Sequence, residues 1–374
     1  MSAARFNPGG GQMLRKGSLL VVVNAPPAGG LGERGRQVAQ ASGNATVVYR
    51  QRGRLRTIAT VSRAIARHRP HVIYGIDNSV VTVAAALMGR IACRSRFIVD
   101  TGDAVGALRA KMASGGRFGT PLGFLLERVG YSLASAVVAR STGLAERVSV
   151  MAAKPVTVIP DGYDEARLPA TDGTTARVRW GFTPEHLVVG VLGSANWNHN
   201  LNWCYGRDVI EVVARSRNSN VRGAIIVAGS GESKLREMAR QLKVTNRIVF
   251  ERPADGYGVY EQIRAFDVGL STQTNDEVGQ CRTTGKLVQY IAAGTFVLAS
   301  CVGEAARLLP EEMLVPYNGA WDDGYFGRLA ERIDALPCPI VLRQKGRELS
   351  AKLRHVFQYG LLRRQFANIL ETIR

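Results

Sequence analysis

The sequence predicts an α/β protein of two domains, each built on a parallel sheet covered by helices. Three observations carry this. Short runs rich in Val, Ile and Leu alternate with amphipathic stretches of helical period along most of the chain. Those runs are apolar throughout, as strands buried on both faces are, rather than alternating. The alternation is interrupted once, by a segment rich in Asp, Gly, Pro and Thr over 161–183, and then resumes. A length of 374 residues accommodates two cores of ordinary size.

The first half opens with the apolar run SLLVVVNA over 18–25, then Pro26, Pro27 and a glycine-rich turn containing Gly29 and Gly30. This reads as strand, loop and helix, with Val38 and Ala39 on the inner helical face. Such a turn either lets the backbone approach a ligand or simply makes a tight connection. It lacks the GxGxxG spacing of a dinucleotide site. Strands follow over 45–49, 71–75, 96–100, 136–139 and 156–159, with helices over 55–68, 80–88, 125–133 and 144–151. The stretch between 101 and 124 reads as irregular and basic.

In the second half, strands are expected over 187–192, 224–227, 248–250, 268–270 and 296–299. Helices are expected over 201–213, 232–242, 259–264, 286–293 and 326–336, and the tail from 342 onward has helical pattern. The predicted domains are 1–165, 166–345 and a helical segment, 346–374, packing back across them. Two such halves place a cleft between the carboxyl edges of their sheets, where α/β proteins bind ligands.

The stretch 282–300 organises the second half. Leu287, Tyr290 and Ile291 share one helical face, Gly294 supplies a left-handed stop, and a buried strand follows. Arg282 and Lys286 flank the start of that helix. A helix N-terminus beside two cations suits a phosphate, and the alternative is an ordinary amphipathic helix with solvated cations.

Composition narrows the function classes. The chain carries 49 Lys and Arg against 30 Asp and Glu, a formal charge of +19. That excess attracts polyanions: nucleic acid, an anionic membrane surface or negatively charged substrates. No zinc-finger spacing, RNP-type motif or basic heptad region accompanies it, so nucleic acid is not an expected partner. Cys93, Cys204, Cys281, Cys301 and Cys338 are scattered, with no close pair and no histidine at ligand spacing. That pattern predicts reduced cytoplasmic thiols and no metal site. No apolar run approaches the roughly 18–20 residues that span a bilayer, and residues 1–17 do not read as a secretory leader.

Four pieces carry a family resemblance: VIPDGYD over 158–164, VGVLG over 189–193, IIVAGSG over 225–231 with RIVF over 247–250, and AFDV over 265–268 with GKLVQYIAAG over 285–294. In this order and spacing they resemble the GT-B glycosyltransferases, in particular the glycosyl transferases group 1 (GT4-like) family. The resemblance implies a GT-B fold, two Rossmann-like domains whose parallel sheets face a central cleft. It implies a nucleotide-diphospho-sugar donor held mainly by the second domain and a saccharide or lipid-linked acceptor held by the first, on the side of Gly29, Gly30 and Asp103. The transfer it implies is retaining and metal-independent, with no cofactor beyond the donor. The leaving diphosphate gains charge, so fixed cations and N–H groups must be aimed at it.

Matched residue by residue, the chain departs from the family at several positions. Arginine and lysine are absent around Gly193, Ser194 and 198–200, the glutamate of the KLxEY motif is Gln289, the earlier acidic position of the paired-glutamate motif is matched only loosely by Asn275, Asp276 and Glu277, and the histidine after the fourth strand is replaced in DTGD over 100–103. Two readings follow. Either Arg282 and Lys286 take over the diphosphate with His199 or the neighbouring Asn198 and Asn200 as neutral donors, or the protein keeps the fold as a binding or scaffolding subunit. Gly229 and Gly231 contact phosphate or sugar, or form a tight turn. Arg252 and Pro253 lie where the family's backbone meets the nucleobase, or in a plain loop. Asp103 orients the sugar, accepts an acceptor proton, or caps the next segment. Asp161 and Glu304 are further candidates.

Residues 108–126 mix Arg109, Lys111 and Arg117 with Met112, Phe118, Leu122, Phe124 and Leu125. They read either as an interfacial surface for anionic headgroups or as core packing of the 125–133 helix. The first reading makes the protein a cytoplasmic enzyme, peripheral on the inner face of the membrane, acting in cell-envelope or other polysaccharide synthesis.

Overall fold

The structure is a computed structural model that describes residues 18–112, 116–198 and 203–373. It forms two compact units. The first comprises 1–162, 281–283 and 356–374, and the second 163–280 and 284–355. The division thus falls at Gly162, and of the predicted 346–374 segment residues 356–374 belong to the first unit and 346–355 to the second.

In the first unit the strands are β1 (Leu19–Val23), β2 (Ala45–Tyr49), β3 (Val72–Ile76), β4 (Arg96–Thr101), β5 (Ala136–Ala139) and β6 (Val156–Val158), in the order β2-β1-β3-β4-β5-β6. All pairs are parallel, with Val21 opposite Val47 on one side and Tyr74 on the other. Every residue of β1 is buried, as its uninterrupted apolar run requires. One face of the sheet packs Val21, Tyr74 and Val138 against Val38 and Ala39 of helix Gly30–Ser42 and against Phe366 and Leu370 of helix Tyr359–Thr372. The other face carries helix Val80–Cys93, where Gly89 lies so close to Ile73 that a Cβ would stand 2.2 Å from its Cδ1.

In the second unit the strands are β7 (Leu187–Ser194), β8 (Val221–Ala228), β9 (Ile248–Glu251), β10 (Val268–Ser271), β11 (Phe296–Ser300) and β12 (Leu314–Val315), in the order β12-β11-β10-β7-β8-β9. These pairs are parallel too. Strand order reverses between β1 and β3 in the first sheet and between β7 and β10 in the second. Those are the switch points at whose carboxyl ends open α/β sheets bind ligands.

Some expectations need correction. The 101–124 stretch is not irregular: it contains helix Val105–Met112 and the start of helix Gly116–Leu133. The first of these is capped from a distance, because the buried Glu127 carboxylate accepts the Val105 and Gly106 N–H groups at 2.9 and 3.1 Å. A cap from more than twenty residues away leaves no local signal. The helix expected over 201–213 is Arg207–Arg215, starting after Gly206 at φ 111°. The interruption at 161–183 holds a short helix, Thr174–Arg179. The tail is two helices, Pro339–Phe357 and Tyr359–Thr372, separated by Gln358 in an extended conformation.

Candidate functional site

The helix of the organising stretch runs Gly285–Ala293, ends at Gly294 with φ 72°, and leads into β11. Its apolar face is anchored inside the second sheet. Tyr290 is fully buried, and its hydroxyl accepts the Leu192 N–H at 2.9 Å. That anchoring fixes the first turn beside the carboxyl ends of β7 and β10, where Thr284 and Ser271 hydroxyls meet at 3.1 Å.

Lys286, in that first turn, is only 6 % exposed. Its Nζ stands 2.9 Å from the centroid of the Tyr205 ring. A cation over an aromatic face is attracted by the ring quadrupole. Tyr205 in turn packs on Gly193, where a Cβ would come within 2.7 Å of the ring, and its hydroxyl accepts from Gln273 Nε2 at 3.3 Å. The buried countercharge of Lys286 is Asp208. One carboxylate oxygen accepts the Gly206 and Val209 N–H groups at 3.2 and 3.0 Å, and the other accepts the Thr272 hydroxyl at 2.9 Å. Burial raises the Asp208 pKa, while the Lys286 charge and these donors pull it back. Sequence reading missed Asp208 because it sits mid-pattern in an amphipathic helix. Its only local mark is an acid in a first turn after glycine.

The other candidates in this unit lie on the same sheet edge. Ser194 is exposed at the end of β7, and Gly229 and Gly231 follow β8. Both glycines have a packing role. A Cβ on Gly229 would stand 2.6 Å from the Ala195 carbonyl carbon and one on Gly231 2.5 Å from its oxygen, while the Gly231 N–H donates to that oxygen at 2.6 Å. Arg252 and Pro253 follow β9 in a braced loop. The buried Gln262 amide donates to the Arg252 carbonyl at 2.8 Å and accepts the Ala254 N–H at 2.9 Å. Gln289 is half-buried on helix Gly285–Ala293. Glu304 is buried in the first turn of helix Gly303–Leu308. His199 lies outside the described residues.

In the first unit, Asp103 and Arg282 come together: Arg282 Nε lies 2.9 Å from Asp103 Oδ1, each side chain about one-third exposed. Deeper in the same unit is a charged cluster that sequence reading only brushed, through Asp161. Asp100, at the end of β4 and fully buried, accepts Arg34 Nε at 2.7 Å, Arg140 Nε at 2.9 Å and the Tyr74 hydroxyl at 2.7 Å. Arg34 also donates to the Ile159 and Pro160 carbonyls and lies 3.4 Å from Asp161, while Arg140 reaches Asp77 at 3.0 Å. Burial alone would raise the Asp100 pKa, but the two guanidinium groups hold it below the ordinary value. Gly29 begins the first helix at φ 90°, and neither it nor Gly30 has an atom within 4 Å of a Cβ position. The close approach in that turn is made by Gly32, whose Cβ would meet the Pro27 oxygen at 2.1 Å.

This architecture can be set beside known proteins. Residues 13–162 match the family model described as glycosyl transferase 4-like domain. The chain has the GT-B fold. Among solved structures, it is similar to sucrose-phosphate synthase from Thermosynechococcus elongatus, with a TM-score of 0.71, 15 % identity and coverage of 96 % of this chain and 99 % of that one. It is similar to Anabaena HepE in complex with UDP and glucose, with a TM-score of 0.70, 16 % identity and coverage of 96 and 100 %. It is also similar to WaaG, a glycosyltransferase involved in lipopolysaccharide biosynthesis, with a TM-score of 0.68, 13 % identity and coverage of 94 and 99 %. No curated protein sequence matches the chain.

For the GT-B chain, the second unit therefore brings Gly193, Lys286, Gly229 and Gly231 to one sheet edge, with Asp208 beneath them. Arg282 instead belongs to the first unit, on Asp103.

Proposed function

We propose that the protein is a glycosyltransferase moving a sugar from a nucleotide-diphospho-sugar to a saccharide or lipid-linked acceptor, retaining and without metal or other cofactor. The observation that carries this is Lys286, a cation buried in the first turn of a helix at the switch point of the second sheet. A diphosphate leaving group placed there meets a fixed positive charge and the positive end of a helix. One charge-assisted hydrogen bond is worth roughly 1.5–3 kcal/mol, enough for a tenfold or greater effect on rate. The UDP and glucose named for HepE support the donor class.

The exposed apolar side chains Leu122, Phe124 and Leu125, 42, 45 and 56 % accessible, support a peripheral membrane location in glycan or envelope synthesis. Among the described residues no helix is long and apolar enough to cross a membrane.

A thermal-shift panel of nucleotides and nucleotide-sugars tests the donor reading. A shift for one base, lost in Lys286→Met, is the expected result. Silence across the panel, with a stable protein partner recovered instead, would favour the binding-subunit reading.

A further inference from the structure

The first unit has a recess of about 530 Å³ at the carboxyl ends of β1, β2 and β3, across the switch point of that sheet. Four guanidinium-bearing residues line it: Arg50, Arg52, Arg54 and Arg109. No carboxylate lines it, and among the described residues none of the four has an ion-pair partner. An adjoining depression shares Gln51 and Arg52 and adds Arg56 and Arg63, again without an acid.

The recess has a braced frame. The Arg50 N–H donates to the Val23 and Ala25 carbonyls at 3.0 and 3.1 Å, which ties the end of β2 to that of β1. The Gln51 N–H donates to the buried Thr57 hydroxyl at 3.0 Å, and the Gln51 amide donates to the Tyr49 carbonyl. Helix Arg54–His68, fifteen residues long, starts at this recess after Gly53 at φ 96°, with neither a capping side chain nor an acid in its first turn. By contrast, helix Val80–Cys93, which also starts here, is closed by a capping box on Ser79.

Arg50, Arg52 and Arg54 are exposed and Arg109 half-buried, so together they give the recess a positive potential that attracts an anion. Guanidinium groups beside an uncapped helix N-terminus match the geometry of phosphate oxygens, which accept paired N–H donors. We propose that this arginine-lined recess seats a phosphate-bearing group of the acceptor, a phosphomonoester or a diphosphate. The word acceptor rests on the transferase reading; the anion site itself does not. The same chemistry is offered by a soluble sugar phosphate and by the phosphate of a lipid.

The test is calorimetric titration of the full chain with inorganic diphosphate, and co-sedimentation with phosphatidylcholine vesicles containing phosphatidic acid. Both are run on the wild type, Lys286→Met and Arg50→Gln/Arg52→Gln. Losing two charged contacts is expected to weaken binding about tenfold or more. Arg50→Lys/Arg52→Lys, which keeps the charge, should recover part of it, and an unchanged melting curve confirms the fold. Diphosphate binding that survives Lys286→Met but not the double glutamine variant supports the site with a soluble source. Vesicle binding alone, lost in that variant, assigns the phosphate to a lipid headgroup. Binding insensitive to the double glutamine variant, or absent with both probes, overturns the proposal. Diphosphate held here without any donor-induced thermal shift would sink the transferase reading and leave the anion site standing.

Discussion

Arg282 Nε meets Asp103 Oδ1 at 2.9 Å, a pair formed between the loop after β4 and a three-residue segment that the chain contributes from much later in its sequence. Both side chains are partly exposed, so the pair itself contributes only about 0–1 kcal/mol to folding. Asp103→Asn and Arg282→Gln are expected to leave the melting point nearly unchanged. If the pair serves transfer, kcat falls roughly tenfold or more in each, and the double variant is no worse than the worse single one, as residues acting as a unit behave. Additive losses would show that the two act independently.

Lys286 and Asp208 compensate each other inside the second unit. Removing one charge leaves the other buried, at a cost of about 3–5 kcal/mol. Lys286→Met and Asp208→Asn should each lower stability in urea unfolding. The double variant should regain most of it, because neither buried charge then lacks its opposite. Transfer activity, in contrast, should stay abolished in the double variant. Recovery of activity there would remove Lys286 from the diphosphate.

The Asp100 cluster gives a pH signature. Its folded-state pKa lies below the ordinary 3.8, held down against the effect of burial by Arg34 and Arg140. A depressed carboxylate contributes stability that is present above the unfolded value and is lost as pH falls through the folded one. The stability difference between wild type and Asp100→Asn should therefore be constant near neutrality and shrink as pH drops below about 4. Denaturant midpoints measured across that range check it. A gap that widened on acidification would contradict the assignment.

Gly346 lies where helix Pro339–Phe357 crosses the end of helix Gly285–Ala293. A Cβ there would stand 2.3 Å from the Gly294 oxygen and 2.7 Å from the Phe296 N. Both obstacles are backbone, so Gly346→Ala must push the helix away from the strand it covers. A loss of about 1–3 kcal/mol is expected in urea unfolding. Gly30→Ala, with nothing within 4 Å, should be near neutral and serves as the control.

Much of this molecule could be read in the sequence because its strands are buried on both faces. Runs such as LLVVV in β1 need no tertiary information, and the Gly294 stop follows from the left-handed conformation it adopts. The family motifs placed Lys286 and the two glycines after β8 on one sheet edge. What stayed hidden depends on partners distant in the chain. Helix Val105–Met112 needs Glu127, Arg34 becomes a core residue only through Asp100 and the Ile159 carbonyl, and Asp208 acquires meaning through Lys286. The arginine recess went unrecognised for another reason. Its residues come from a loop and a first turn that look, one at a time, like solvated surface.

The last helix, Tyr359–Thr372, lays Phe366, Ile369 and Leu370 against the same sheet face as Val21 and Tyr74, and the Phe366 ring receives the Arg34 guanidinium at 5.0 Å. During synthesis this part of the first sheet therefore stays uncovered until residues 359–372 have been made, long after its strands and after the whole of the second unit's sheet. For that interval helix Gly30–Ser42 covers this face without its later neighbour, and the apolar side chains left open beside it are a site for aggregation.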